Sequence, residues 1–262
     1  MGTVIGAQLY TVRDFCKTPE DLEKTLERLA KMGYRAVQLS GICDCDPVWL
    51  KGVLDRLGLV APVSHVGFDK LSEKTDAVIA AHAVLNAPYI GIGSAPNVCS
   101  KEADLAEAFA DFFAKSPEVI AKIKAAGFQF FYHHHDSEFA RSENGITYLE
   151  ELMNRYSPEE CGIILDTHWV QAGGADPAEW IRCLTGRLAC IHFKDYCINP
   201  HARERRFAPI GSGNLNWSTI FAAVRQAGVK YAFVEQDKCY DEDPFDCLEK
   251  SLKFLRDAGF KD

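Results

Sequence analysis

The sequence predicts an α/β fold of one kind, a single (β/α)8 TIM barrel over residues 1–262, and three observations carry the prediction. Eight short runs are apolar almost without a break, at residues 4–10, 35–39, 60–66, 87–92, 128–133, 162–166, 189–193 and 231–235, the pattern of strands buried on both faces. Longer segments of helical periodicity separate them, and strict strand–helix alternation implies a parallel sheet. The count of eight favours a closed barrel over an open doubly wound sheet. No Gly-x-Gly-x-x-Gly follows the first run, as a dinucleotide-binding fold would require.

The helices carry boundary signals in chain order. Thr18-Pro19-Glu20-Asp21 combines a cap, a proline at the first helical position and first-turn acids. Leu22, Leu26 and Leu29 then share one face before Gly33 stops the helix. Ser116-Pro117 opens a helix that ends at Gly127, so Pro117 is expected to split the segment 101–126 in two. Asp176-Pro177 and Asp243-Pro244 repeat the start signal, and Leu248, Leu252 and Leu255 form the last apolar stripe before Gly259. The longest irregular stretch is 195–214, after the seventh run; it holds Arg203, Arg205 and Arg206 and ends in Gly211-Ser212-Gly213.

Composition narrows the function classes. The chain is 47% hydrophobic and 25% charged, an ordinary soluble globular balance that supports a large core. A formal charge of −8 argues against nucleic acid and against an anionic membrane surface as partners. No apolar run approaches a membrane span, and residues 1–10 lack a signal-peptide pattern. The 10 cysteines are expected to be reduced thiols in a cytoplasmic protein, since only Cys43 and Cys45 are closely spaced and no second pair answers them.

In a barrel of this kind the chemistry collects at the C-terminal ends of the strands. The first three runs end near Gln8 and Tyr10, at Gln38 and at His65. The fifth passes into Tyr132-His133-His134-His135-Asp136-Ser137-Glu138, and alternation sends His133 and His135 to one side and His134 to the other. The sixth ends at Asp166, followed by His168 and Trp169; the seventh at His192, Lys194 and Asp195; the eighth at Glu235, with Asp237 beyond. Carboxylates buried at strand ends are costly unless paired or bound to a cation. Glu138, Asp166, His192 and Glu235 together form a hard, mostly oxygen donor set that suits Mn, Mg, Co, Fe or Zn as one divalent metal ion without choosing among them.

At these residues the sequence resembles the sugar phosphate isomerase/epimerase family of xylose isomerase-like barrels. The resemblance lies in Gln8-Leu9-Tyr10-Thr11-Val12-Arg13-Asp14, the stretch 132–139, Leu165-Asp166-Thr167-His168-Trp169, Ile191-His192-Phe193-Lys194-Asp195 and Phe233-Val234-Glu235-Gln236-Asp237. Pro209-Ile210-Gly211-Ser212-Gly213 with Trp217 also looks like the family's glycine turn. The resemblance implies one divalent metal held by Glu138, Asp166, His192 and Glu235, with His133 at the place where some members put the strand-five ligand. It implies a small sugar or polyol substrate and proton abstraction beside a carbonyl through a metal-stabilised ene-diolate, with Glu138 and Glu235 as the acid–base pair. Lys194 would add positive charge, His65, His133, His135 and His168 would bind hydroxyls, and Tyr10, Trp169 and Phe193 would wall the ring. Members often carry an aromatic where this chain has His168. The same scaffold serves lyases (inosose or dehydroshikimate dehydratases, or enzymes that cleave carbon-linked glycosides), which remain the alternative, with a non-catalytic sugar-binding barrel behind them. A three-metal endonuclease shares the ligand order but needs a histidine where Trp169 stands and a basic face. Association into a homo-oligomer is left open.

Overall fold

The computed structural model describes residues 2–260. Strands β1 (Val4–Gln8), β2 (Ala36–Gln38), β3 (Val63–His65), β4 (Tyr89–Ile92), β5 (Gln129–His133), β6 (Cys161–Asp166) and β7 (Cys190–Phe193) are followed by a hairpin, β8 (Asp195–Ile198) and β9 (Arg205–Ala208), and then by the eighth barrel strand, β10 (Tyr231–Val234). The barrel strands pair in parallel in the order β2-β1-β10-β7-β6-β5-β4-β3. The seam between β2 and β3 is bridged only at Ala36–Val60 and Leu39–Ser64, where the His65 N–H donates to the Leu39 carbonyl at 2.8 Å. The sheet is therefore a nearly closed barrel with helices between its strands, as the alternation of runs predicts.

The helix starts follow the cap residues. Thr18, Asp176 and Asp243 each accept backbone N–H groups of the first turn, with proline at the first or second helical position. The expected break at Pro117 does not occur: one helix runs Leu105–Ala125 straight through it. Proline removes the N–H that would meet the Phe113 carbonyl. The apolar face of Phe109, Phe112, Phe113, Val119, Ile120 and Ile123 is nevertheless buried on both sides of it, and that packing outweighs one lost bond.

The stretch 195–214 is also more ordered than its composition suggests, because β8 and β9 pair antiparallel within it. Asp195 anchors its base. Its carboxylate accepts the backbone N–H groups of Tyr196, Gly211, Gly213 and Leu215 and the Trp217 indole N–H at 2.7 Å. A Cβ on Gly213 would stand 2.2 Å from Asp195 Oδ1, so that position has room only for glycine. Asp195→Ala strands these donors together and is expected to cost about 2–4 kcal/mol, which lowers the melting midpoint by roughly 5–15 °C in a circular-dichroism melt. An unchanged midpoint would show that solvent replaces the carboxylate at no cost.

All ten cysteines are free. Among the described residues no helix is long and apolar enough to cross a membrane.

Candidate active site

The period-two alternation of the strands builds the site in two layers. Ala36, Val63, Tyr89, Phe131, Ile164, Cys190 and Phe233 point into the barrel and form an apolar floor. Two residues further along each strand the side chain returns to the same side. Those positions are Gln38, His65, Gly91, His133, Asp166, His192 and Glu235. One polar layer thus lies on the floor, at the C-terminal end of the barrel where such folds hold their chemistry. The ladder sets Asp166 directly beside His192.

Four members of that layer converge. His133, Asp166, His192 and Glu235 are buried, and one donor atom from each lies within 4.8 Å of the others. The two imidazoles have the same arrangement. The outward nitrogen of His133, Nδ1, lies 3.0 Å from the Gly93 carbonyl, and that of His192, Nε2, lies 2.6 Å from Gln38 Oε1. Each of those nitrogens is placed to carry a proton, since its partner can only accept. The inner nitrogen of His133 then turns its lone pair toward the cluster. At His192 the Glu235 and Asp166 carboxylates outweigh burial and raise the imidazole, favouring a proton on Nδ1 that a bound cation would displace. His133 Nε2, His192 Nδ1 and Asp166 Oδ2 are buried without hydrogen-bond partners. Asp166 Oδ2 stands 3.6 Å from His133 Nε2 and 3.8 Å from His192 Nδ1, and His192 Nδ1 stands 2.8 Å from Glu235 Oε2.

The charge balance also calls for a cation. Lys194, 1% exposed, reaches Asp237 at 2.8 Å, Glu235 at 3.1 Å and Asp166 at 3.2 Å, not the neighbouring Asp195. Burial alone would raise the Asp166 and Glu235 carboxyls, but Lys194 and the imidazoles hold both well below their ordinary values. Burial and the neighbouring rings keep His133 and His65 neutral. Two carboxylates and two imidazoles that turn one donor atom each toward a common point fit a metal ion.

A cavity of about 600 Å³ opens above the cluster. Of the residues expected to meet substrate, Tyr10, His65, His133, His135, Trp169, Lys194 and Glu235 line it. His134 turns away, its Nε2 accepting the Asp166 N–H at 3.1 Å. Tyr10 comes not from β1 but from the short helix Leu9–Phe15 that follows it.

The structure does not bring three expected residues to the cavity. Glu138 is buried in the turn Ser137–Phe139, where its carboxylate accepts from the Tyr132 hydroxyl at 2.6 Å, the His135 N–H at 2.8 Å and Ser137 Oγ at 3.1 Å. Those bonds hold it away from the cluster, and His133 occupies the strand-five place. Tyr132 in turn accepts the Ala95 N–H at 3.1 Å, so Glu138 ties together the loops after β4 and β5. His168 is covered by Trp169, Tyr196 and Phe207. Phe193 points outward and packs on Trp217, Phe221 and Phe260. Sequence reasoning left out Ser94, Cys99 and Phe207, which line the cavity, and gave no role to Asp237, which also lines it, or to Gln38, named only as a strand end, which orients His192. The two-residue step above the floor marks Gln38; no local pattern marks the loop residues.

Comparison with known proteins accords with the fold. The solved structure of a sugar phosphate isomerase/epimerase from Parabacteroides distasonis superposes with a TM-score of 0.79 at 24% identity, over 99% of this chain and 96% of that one. An L-ribulose 3-epimerase structure gives 0.75 at 16% identity, over 97% and 93%. These likenesses show the fold. Inosose dehydratase from Lacticaseibacillus casei is 24% identical over 150 residues, 51% of this chain and 49% of that protein, so the match spans about half the length of this curated relative. The model of the xylose isomerase-like TIM barrel family matches residues 17–258, and the chain belongs to that family.

Proposed function

We propose that the chain is a divalent-metal-dependent isomerase or epimerase that moves a proton at the carbon next to the carbonyl of a ketose or related polyol. The observation that carries this reading is the convergence of one donor atom each from His133, Asp166, His192 and Glu235 at the base of a cavity of about 600 Å³. These four residues would hold the ion, which when bound supplies Lewis acidity to substrate oxygens. Glu235 belongs to the cluster and also lines the cavity, so it is the carboxylate placed to take the proton. Lys194 adds positive charge beside it, and His65 and His135 offer ring nitrogens to hydroxyls. Trp169 and Tyr10 offer aromatic faces to a small sugar.

One observation favours a lyase as the second reading. Glu138 is bonded into its turn, so the carboxylate expected to act as second base lies outside the cavity, and the other acid that lines it, Asp237, is paired with Lys194 at 2.8 Å. Elimination needs only one. Protein loaded with Mn²⁺, Mg²⁺ or Co²⁺ and incubated with ketoses and keto-polyols in D₂O separates the cases. Deuterium in an isomerised or epimerised sugar is the expected result. An ultraviolet-absorbing unsaturated product would establish the lyase, and no exchange with any metal or substrate would overturn both.

A further inference from the structure

One wall of the cavity comes from no barrel strand. Phe207, in β9 of the hairpin, lines it. Its ring centroid lies 4.9 Å from that of His168 and 6.3 Å from that of Trp169. Lys194 Nζ stands 5.7 Å from the Phe207 centroid and 5.2 Å from that of Trp169. Two aromatic rings thus cover the ammonium that pairs with Asp166, Glu235 and Asp237, and they keep water from it.

The hairpin is a separate two-stranded sheet. Its β8 side is tied down at its base, where the Asn214 N–H donates to the Tyr196 carbonyl at 2.7 Å. Its β9 side is held by Tyr240, from the loop that follows β10 and Glu235. The Tyr240 hydroxyl accepts the Phe207 N–H at 3.1 Å, and its ring lies 4.0 Å from the Arg206 guanidinium carbon. Tyr240 has φ of 56°, the left-handed region that an aromatic residue rarely adopts and that glycine enters freely. Its side chain is 44% exposed, so core packing does not explain the conformation. Strain of this kind persists where the surroundings impose it, and it concentrates at working sites.

We propose that Tyr240 is a positioning residue that sets Phe207 over the cavity, and that Phe207 determines which substrates fit. The loop after Glu235 and the hairpin after His192 then act as one roof. The substrate half of this inference rests on the proposed function; the positioning half does not.

Hydrogen–deuterium exchange and melting test the positioning half. Tyr240→Phe keeps the ring and removes only the acceptor, so the Phe207 amide should exchange about five- to tenfold faster, the loss of one hydrogen bond, with the melting midpoint lowered by no more than about 4 °C. Tyr240→Gly relieves the backbone strain and removes both contacts. It should free the amides of 205–208 while the midpoint holds or rises. For whichever ketose or keto-polyol the protein turns over, Tyr240→Gly and Phe207→Ala should each raise KM about tenfold, with kcat within about threefold. Unchanged exchange at Phe207 in both Tyr240 variants would overturn the proposal, and so would a midpoint lower by about 10 °C or more with faster exchange throughout the barrel, the mark of general destabilisation. A loss confined to kcat would overturn the role of Phe207. If the wild type turns over no substrate, the proposed function and the role of Phe207 built on it fall, and the exchange data still decide the role of Tyr240.

Discussion

Asp166→Asn is expected to keep the barrel and lose the metal. The two oxygens of Asp166 have separate tasks. Oδ1 accepts the Trp169 N–H at 3.0 Å and caps the helix Thr167–Ala172; Oδ2 meets Lys194 Nζ at 3.2 Å and faces His133 and His192. Asparagine caps helices as well as aspartate does, so the fold survives. Its amide replaces an anionic ligand, and turnover should fall by about a hundred- to a thousandfold, the several kcal/mol a Lewis-acidic ion contributes. Asp166→Ala should lose the metal too and cost about 1 kcal/mol more through the missing cap. Metal content after dialysis, read beside a thermal melt, checks both. Full metal occupancy in the asparagine variant would remove Asp166 from the site.

Lys194→Met is expected to cause the largest loss of stability in the metal-free protein and to be rescued by a divalent cation. Lys194 is buried among Asp166, Glu235 and Asp237. Removing one partner of a buried charge network leaves the rest uncompensated, at a cost of about 3–5 kcal/mol, so the midpoint should drop by roughly 10 °C. An ion at His133, Asp166, His192 and Glu235 supplies positive charge to two of the three stranded carboxylates. At a concentration of 100 times its Kd it returns about 2.7 kcal/mol. Mn²⁺ should therefore raise the midpoint of the methionine variant well above its metal-free value. A variant that melts with the wild type, or that Mn²⁺ leaves unmoved, would show that these carboxylates are not balanced as described.

Most of the barrel is legible in the sequence because a strand buried on both faces can be little but apolar. All eight runs contain barrel strands, although those at 35–39 and 60–66 shrink to three residues, Ala36–Gln38 and Val63–His65, at the weakly paired seam. Asp166, His192 and Glu235 are legible for the same reason: each ends such a run. Glu138 stands apart from the cluster, bonded to Tyr132, because a motif read along the chain does not reveal how the turn after β5 rotates its side chain. The floor supplies the missing rule. His133 lies two residues beyond Phe131, as Asp166 lies beyond Ile164, His192 beyond Cys190 and Glu235 beyond Phe233, so strand alternation alone selects His133. Phe193 fails by the same parity, since it follows His192 and must face the helices. Tertiary contacts decide the rest. Pro117 stays within a helix because of what that helix buries, and Phe207 reaches the cavity only through a hairpin held by Asp195 and Tyr240.

The most direct measurement is anomalous diffraction from crystals equilibrated with Mn²⁺. One peak within coordination distance of His133 Nε2, Asp166 Oδ2, His192 Nδ1 and Glu235, with Glu138 still bonded to Tyr132, is the predicted result. A peak held by Glu138 instead of His133, or no peak at this cluster while Lys194 keeps its three carboxylates, would contradict the account.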